Sequence, residues 1–336
     1  MTDAPKLNAN GYEILHHVQA GVGSHKIVLG RRGSCRFCGE GDSKHFRHRS
    51  HTIPEGLGNH WILSADECDR CNKLFSKYDD ALCKSVGTIL TVGGTEGKGG
   101  KVRQTGRSKG SNNIRHSRPG GQRRISYQVL SEADGISAAL GTAVEFSADG
   151  KIKLTMPMPS EVFVPRSAYK ALVKVGLALL PDTELPNFQR LLQWLTDESE
   201  SEEFSFLDVG ISCGSLGNAP PIVSATILRR KSIEDRIPYV LLMVTAGSIC
   251  WQIDLMPDVL DNEIGLAGFG CINLRWNTIL GPRDGDQIKI AYSEPRHFDW
   301  SSNLPAPSPI NALRQHFDQN TLEGQIELEW RDMPPS

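Results

Sequence analysis

The sequence predicts an α+β protein in two parts: a small cysteine-rich N-terminal module, and a larger C-terminal α+β domain with a helical hairpin and antiparallel strands. Four of the eight cysteines form two CxxC pairs within residues 35–71. After residue 125, strand-length apolar runs alternate with turns, and two segments have helical periodicity. A length of 336 residues is also more typical of two domains than of one.

Composition and charge narrow the class of protein. The chain has 39% hydrophobic and 23% charged residues and a net charge of −2, close to the average for a soluble globular protein. No apolar run is long enough to span a membrane. The N-terminal sequence MTDAPKLNANGYE lacks the basic start and apolar core of a signal peptide, so we expect a cytoplasmic protein with no membrane partner.

The two cysteine pairs predict a metal site. Cys35 and Cys38 form a knuckle-type turn before Gly39, and Cys68 and Cys71 form the second pair. CxxC pairs in a large chain without a secretory signal favour metal over disulfides. Four thiolates saturate a tetrahedral Zn²⁺ and leave no open position, so the predicted zinc is structural.

Local patterns around the cysteines predict a treble-clef-like ββα unit. Ser64 to Glu67 has the form of a capping box, which predicts a helix that begins near Ala65 and carries Cys68 and Cys71 in its first turns. Thr52–Ile53 and Trp61–Ile62 predict two short strands, with Pro54 and two glycines in the loop between them.

The segments SHTIPEGLGN and ECDRCN, bracketed by the cysteine pairs, resemble the HNH endonuclease family, in its four-cysteine subgroup. The resemblance covers about residues 30–105. It implies that His51 is the general base that activates water for attack on a DNA phosphodiester. It also implies that Asn72 coordinates a catalytic divalent ion, Mg²⁺ or Mn²⁺, and that Asn59 takes the place of the middle asparagine of the motif.

The sequence departs from that family at the residue before the histidine, where Ser50 stands in place of an acid. Glu55 is the nearest carboxylate that could replace it as a ligand of the catalytic ion, and Asp79 or Asp80 are more distant alternatives. The residue types suit the reaction, because histidine titrates near neutral pH and Mg²⁺ prefers oxygen ligands. A zinc-dependent nucleic-acid-binding or regulatory module without catalysis is the alternative, and Ser50 favours it.

Residues 97–124 form a basic, glycine-rich segment with nine Lys or Arg residues and no acid. A flexible cationic backbone can follow a phosphate chain without reading bases, and an interdomain linker is the alternative interpretation. The predicted nucleic-acid contacts are Lys98, Lys101, Arg103, Arg107 and Lys109.

The C-terminal part carries no recognisable chemical motif. Pro165 to Leu180 and Asn187 to Leu195 predict the helical hairpin. Ile222 to Leu228, Tyr239 to Ala246 and Ile249 to Met256 predict strands, the last two joined at Gly247-Ser248. Docking on DNA, dimerisation and sensing of a signal are all open roles for it.

These observations together predict three regions and one activity. Residues 1–105 form the nuclease domain with its core at 30–90, residues 97–124 the basic segment, and residues 125–336 the C-terminal domain. The predicted activity is that of a metal-dependent HNH endonuclease or nickase acting on DNA. Bacterial phage defence or restriction is its expected setting, with other defence proteins or a second copy of the chain as partners.

Overall fold

A computed structural model describes residues 11–105, 161–198, 206–214, 222–261 and 292–310 in full. It also describes the backbone of eight further strands. The fold is mixed α+β, with mainly antiparallel sheets and few helices, which confirms the predicted class at this level.

The helices of the described residues are α1 (Asp69–Ser85), α2 (Gly87–Val92), α3 (Pro165–Leu179) and α4 (Gln189–Thr196). The strands are β1 (Tyr12–Gly21), β2 (Ile27–Leu29), β3 (Ser50–His51), β4 (Ile62–Ser64), β5 (Asn113–Ser117), β6 (Arg124–Gln128), β7 (Val144–Phe146), β8 (Lys151–Pro157), β9 (Val162–Phe163), β10 (Asp208–Cys213), β11 (Ile222–Arg230), β12 (Val240–Ala246), β13 (Ile249–Leu255), β14 (Asn277–Leu280), β15 (Ile288–Ala291), β16 (Arg296–Asp299), β17 (Ala306–Pro307), β18 (Ile310–Asp318) and β19 (Gly324–Trp330).

The largest sheet has six antiparallel strands in the order β1-β11-β12-β13-β10-β16. Strands β11, β12 and β13 confirm the three predicted strands, and the pairing of Ala246 with Ile249 confirms the hairpin at Gly247-Ser248. All seven residues of β12 are buried, which explains its uninterrupted apolar sequence. Strand β1 was not predicted, and it brings the N-terminal end of the chain into this C-terminal sheet through its pairing with β11.

The cysteine-rich region is built on a small sheet in the order β2-β4-β3, with β2 parallel and β3 antiparallel to β4. The predicted strands at Thr52–Ile53 and Trp61–Ile62 are therefore displaced by one or two residues. Thr52 and Ile53 are fully buried in the loop after β3 instead. Helix α1 follows β4 and covers this sheet with Leu74, Phe75 and Tyr78 buried.

The predicted start of α1 near Ala65 is wrong, since the helix begins at Asp69 with Cys68 as its N-cap. The Ser64 hydroxyl donates a hydrogen bond to the Asp66 carboxylate instead of capping the helix (2.8 Å). The backbone of this stretch is already occupied, because the N–H of Ala65 binds the carbonyl of Leu29 and the carbonyl of Asp66 binds the N–H of Arg36. Cys71, but not Cys68, lies in the first turn.

Helices α3 and α4 confirm the predicted helix pair, with Pro165 in the first turn of α3. The two helices contact each other, and the rings of Tyr169 and Trp194 meet edge to face with their centroids 6.3 Å apart. Helix α3 also packs along α1. One continuous apolar core therefore runs from Phe37 and Phe75 through Leu172 to Val244, so the predicted N-terminal and C-terminal domains share it.

The remaining strands form a four-stranded sheet in the order β19-β18-β8-β7 and the two-stranded pairs β5-β6, β9-β17 and β14-β15. The pair β5-β6 includes part of the predicted basic segment, which is thus not an unstructured linker throughout. None of the helices in the described ranges is long and apolar enough to cross a membrane.

Candidate functional site

The four predicted ligand cysteines come together in one cluster. The sulfur atoms of Cys35, Cys38, Cys68 and Cys71 all lie within 4.8 Å of one another, and three of the four residues are buried. No disulfide joins them. Among the described residues this is the only group of three or more His, Cys, Asp or Glu side chains close enough to hold a metal ion.

The geometry of the cysteine cluster fits zinc. Tetrahedral coordination with Zn–S bonds of about 2.3 Å separates the sulfur atoms by about 3.8 Å. The Sγ atoms of Cys38 and Cys68 are 3.6 Å apart. A hydrogen bond from the Cys71 thiol lowers the pKa of Cys35 to about 5, which favours the thiolate form that zinc binds. These four cysteines could therefore hold a zinc ion.

Backbone hydrogen bonds shape the first cysteine pair into a tight turn. The N–H of Cys35 binds the carbonyl of Glu40 (2.7 Å), and the N–H of Gly39 binds the carbonyl of Cys35 (2.8 Å). Gly39 has φ +73°, a left-handed conformation that glycine adopts without steric cost. The turn thus places both sulfur atoms on the side that faces α1.

Arg36 ties this turn to the C-terminal half of the chain. Its guanidinium donates to the Asp66 carboxylate (2.8 Å), to the carbonyl of Leu180 (2.9 Å) and to the Asp182 carboxylate (2.7 Å). The Arg36 side chain is only 10% exposed, so its bonds to Asp66 and Leu180 are shielded from water, whereas the Asp182 side chain is 87% exposed. The cysteine cluster and the end of α3 are therefore held together.

A cavity of about 710 Å³ lies between β3, the loop after it and one face of α1. It is referred to below as the pocket. Its lining residues are His48, Arg49, His51, Pro54, Glu55, Gly56, Asp69, Asn72, Lys73, Ser76, Asp79, Asp80, Cys83, Lys98 and Arg103.

His51 borders the pocket from the end of β3 and is half-buried. Burial lowers the pKa of its imidazole, and the charges of Lys174 and His60 lower it further, against an opposite effect of Glu55. No hydrogen-bond partner for this imidazole is found among the described residues. The lowered pKa favours the neutral imidazole, which is the form that can accept a proton.

Helix α1 supplies the opposite wall of the pocket. Asn72, Ser76, Asp79 and Cys83 lie at helical spacings of four, three and four residues and share one face. The loop wall approaches this face closely at Gly56, where a Cβ atom would lie 2.6 Å from the sulfur of Cys83. The structure therefore brings His51 and Asn72 to the same pocket.

Asn59, the third residue of the predicted motif, does not line the pocket. Its side chain is fully buried, and its amide nitrogen donates to the carbonyls of Ile53 (2.7 Å) and Ile62 (2.8 Å). Its oxygen accepts from the N–H groups of Trp61 (3.1 Å) and Ile62 (2.8 Å). With both ends of the carboxamide occupied, Asn59 fastens the loop that carries His51 to β4 and has no free atom for an ion or a substrate.

Glu55 lines the pocket and is 28% exposed. Its carboxylate lies 3.8 Å from the ring of His60. His60 itself binds the carbonyl of Glu96 (2.9 Å) outside the pocket, which gives it a structural contact. Glu55 can thus reach the pocket, whereas His60 cannot serve there.

Only some of the predicted nucleic-acid contacts line the pocket. Lys98 and Arg103 line the pocket, while Lys101 is exposed outside it. Arg107 and Lys109 lie outside the described residues. Arg103 is partly neutralised by Glu161 (3.2 Å) and Asp80 (3.6 Å).

A buried polar group lies behind His51 and was missed by sequence reasoning. Lys174 of α3 is 1% exposed, and its ammonium donates to the backbone carbonyl of His51 (2.7 Å) and to the Asp79 carboxylate (3.2 Å). Glu67 is 3% exposed, and burial raises its pKa to about 8, although Lys174 and the Ser50 hydroxyl act against this. Ser50, the residue before His51, therefore lies next to a buried carboxyl group and does not line the pocket.

Comparisons of the chain with family models, with curated proteins and with solved structures gave no match.

Proposed function

We propose that this chain is an HNH-type endonuclease or nickase that hydrolyses DNA phosphodiester bonds, with a structural zinc in the cysteine cluster and His51 as the general base. The observation that carries the proposal is that His51 and Asn72 border one pocket beside that cluster. They reach it from different secondary-structure elements. Two residues of the sequence motif, His51 and Asn72, thus line the same pocket.

The proposed module is a treble clef. Its parts are the turn that carries Cys35 and Cys38, the antiparallel pair β3-β4, and α1, which carries Cys71 in its first turn. The cysteine cluster joins the turn to the start of α1. This arrangement supports the ββα interpretation, because α1 contributes both to the metal site and to the pocket beside the β3-β4 pair.

In the proposed reaction, a water molecule in the pocket gives a proton to a ring nitrogen of His51. The oxygen of this water forms a bond to phosphorus, and the phosphorus–oxygen ester bond on the opposite side of the phosphorus atom breaks. The leaving oxygen takes a proton from solvent. A base with a pKa lowered by burial is unprotonated at neutral pH and therefore competent before the substrate binds.

A catalytic divalent ion would bind at the oxygen atoms of Asn72 and Glu55, with Asp79 as a further carboxylate in the same pocket. The described residues offer no group of three His, Cys, Asp or Glu side chains there, so water and phosphate would fill the other positions. This suits Mg²⁺, which often keeps several waters and takes only one or two carboxylates from the protein. When bound, the ion supplies positive charge to the phosphate oxygens.

Exposed cations at the rim of the pocket support a polyanionic substrate. Arg49, Lys73 and Lys98 are exposed lining residues. Such side chains attract a phosphate backbone irrespective of sequence, through an interaction that weakens with salt. A role in bacterial phage defence or restriction and a cytoplasmic location remain part of the proposal.

The second candidate is a zinc-dependent nucleic-acid-binding or regulatory module that has no catalytic activity. It is favoured by Ser50, which faces Glu67 instead of supplying a carboxylate to the pocket. It also agrees with the pairing of Arg103 to two acids, which reduces the charge available for a transition state.

The test is cleavage of supercoiled plasmid by the full-length protein with Mg²⁺, Mn²⁺, Ca²⁺ or EDTA, for wild type and His51→Ala. We expect nicked or linear product with Mg²⁺ or Mn²⁺ and a loss of at least about 100-fold for His51→Ala. His45→Ala is the matched control, since His45 is exposed and pairs with Glu40 (2.9 Å) outside the pocket.

Three outcomes decide between the candidates. Unchanged cleavage by folded His51→Ala would exclude His51 as the base. Equal losses for His51→Ala and His45→Ala would indicate a general structural defect. Binding of DNA without cleavage under every metal would favour the non-catalytic module.

A further inference from the structure

Lys174 links the C-terminal half of the chain to the candidate base. It lies on α3, 123 residues after His51, and its side chain is almost wholly buried. Its ammonium donates to the His51 carbonyl at 2.7 Å and to both carboxylate oxygens of Asp79 at 3.2 and 3.3 Å. One cation therefore contacts the backbone of one pocket wall and a side chain of the other.

Stability alone is a weak explanation for this lysine. Removing an ammonium from water is costly, and replacing a buried ion pair by apolar side chains of similar volume is often neutral or stabilising. The hydrogen bonds instead indicate that Lys174 holds the groups it binds in fixed positions. A hydrogen bond from a charged donor at 2.7 Å is short and strongly directional.

The strand that carries His51 needs such a support. Strand β3 has only two residues and lies at the edge of its sheet, where Ser50 and His51 pair with Ser64 and Leu63. Its outer side has no neighbouring strand in that sheet. In the peptide group that follows His51, the N–H of Thr52 binds the carbonyl of Ile62 (3.2 Å), and the 2.7 Å bond from Lys174 holds the His51 carbonyl.

We propose that Lys174 is a positioning residue for His51: its buried ammonium holds the His51 carbonyl and the Asp79 carboxylate at a fixed separation across the pocket. The proposal rests on the proposed function of His51 as the base. It assigns to α3, and so to the C-terminal half, a direct part in setting the geometry of the pocket. A shift of α3 along α1 would move both pocket walls through this one side chain.

The chain offers a matched control for this residue. Lys170 lies one turn earlier on the same helix and is equally buried, at 1% exposed. Its ammonium lies over the rings of Trp194 (4.8 Å) and Tyr78 (5.3 Å) and donates to the carbonyl of Asp197 (3.4 Å). Lys170→Met therefore removes a buried lysine from α3 without touching the pocket.

The experiment compares full-length Lys174→Met and Lys170→Met under conditions in which both are folded by circular dichroism. Methionine is unbranched and only one heavy atom shorter than lysine, and it removes the charge and the hydrogen-bond donors. We expect Lys174→Met to lower kcat for plasmid cleavage by about 10- to 100-fold with KM within about twofold, as for a misplaced catalytic group. Lys170→Met is expected to keep kcat within about threefold. Equal losses of kcat in the two variants, or a change in KM alone, would overturn the proposal.

Amide hydrogen exchange separates this proposal from the proposed function. Peptides covering residues 50–52 are expected to exchange about tenfold faster in Lys174→Met than in wild type or in Lys170→Met. The expected difference in exchange rate does not depend on cleavage activity. If no nucleic acid is cleaved, the proposed function fails, but the exchange rates still test whether Lys174 holds the backbone at His51. Exchange in Lys174→Met that equals that of Lys170→Met would overturn the role of Lys174. If the methionine variant does not fold, Lys174→Gln serves for both measurements with the same expected directions.

Discussion

Asn59 and Asn72 are two asparagines of the same predicted motif that the structure assigns to different tasks, and a pair of alanine variants separates them. Asn59 satisfies four backbone groups from a fully buried position. Asn72 is half-exposed on the pocket face of α1, and its carboxamide has no hydrogen-bond partner among the described residues. We therefore expect Asn59→Ala to act on folding and Asn72→Ala to act on cleavage.

The magnitude for Asn59→Ala follows from the groups it leaves behind. Two of them, the carbonyl of Ile53 and the N–H of Ile62, belong to residues that are fully buried, whereas the carbonyl of Ile62 keeps its hydrogen bond from the N–H of Thr52 (3.2 Å). An unsatisfied buried group costs about 1–3 kcal/mol, so with some relaxation of the loop we expect a loss of about 3–5 kcal/mol. That is a large part of the 5–15 kcal/mol typical of a folded protein. Asn72→Ala is expected to change the free energy of unfolding by less than about 1 kcal/mol, because alanine favours the helix.

The assay is urea unfolding at 25 °C, followed by circular dichroism with zinc present, with the free energy taken from the shift in midpoint at a common slope. Plasmid cleavage by folded protein is measured alongside it, and Asn72→Ala should lose at least about tenfold in rate. A loss below about 1 kcal/mol for Asn59→Ala would refute the reasoning, as would a larger loss for Asn72→Ala than for Asn59→Ala.

Three further predictions concern the metal, the base and the link to α3. Cys68→Ser should abolish bound zinc in native mass spectrometry and expose residues 35–85 to protease, whereas a zinc-bound variant would contradict the four-cysteine site. The rate of plasmid cleavage should rise with pH, with a midpoint below pH 6.5, and level off by pH 7. The reason is that burial lowers the pKa of His51 and only the neutral ring accepts a proton. A rate that still rises above pH 7 would exclude His51 as the base. Arg36→Ala should cost about 2–3 kcal/mol in urea unfolding, because it strips the buried Asp66 carboxylate of its cation, and a change within about 0.5 kcal/mol would show that the link contributes nothing.

The parts of the fold that local chemistry determines were predictable from the sequence. Pro165 marks the start of α3, Gly247-Ser248 joins β12 to β13, and the two CxxC pairs meet in one cluster. In each case the signal lies within a few residues of the feature itself. His51 and Asn72 were singled out through the family resemblance, and both line the pocket.

The features that were predicted wrongly or missed depend on contacts between distant segments of the chain. Ser64 has the local form of a helix cap, but the backbone bonds of Ala65 to Leu29 and of Asp66 to Arg36 prevent a helix there. Strand β1 pairs with a strand some 210 residues away, and no local pattern reports that pairing. Lys174 contacts His51 across 123 residues, and its position on an apolar helix gave no sign of a polar partner.

The core that runs without interruption from α1 into α3 and the large sheet has a practical consequence for anyone seeking a minimal active fragment. A protein cut after residue 105 would leave β1 without β11 and the cysteine turn without the Leu180 carbonyl that Arg36 binds. It would also expose to water the side of α1 that α3 covers. We expect such a fragment to aggregate or to lose its affinity for zinc, so a lack of cleavage by the fragment would say nothing about the intact protein. The cysteine-rich half does not stand alone, and it can be transferred to another scaffold only together with α3 and β11, the strand that pairs with β1.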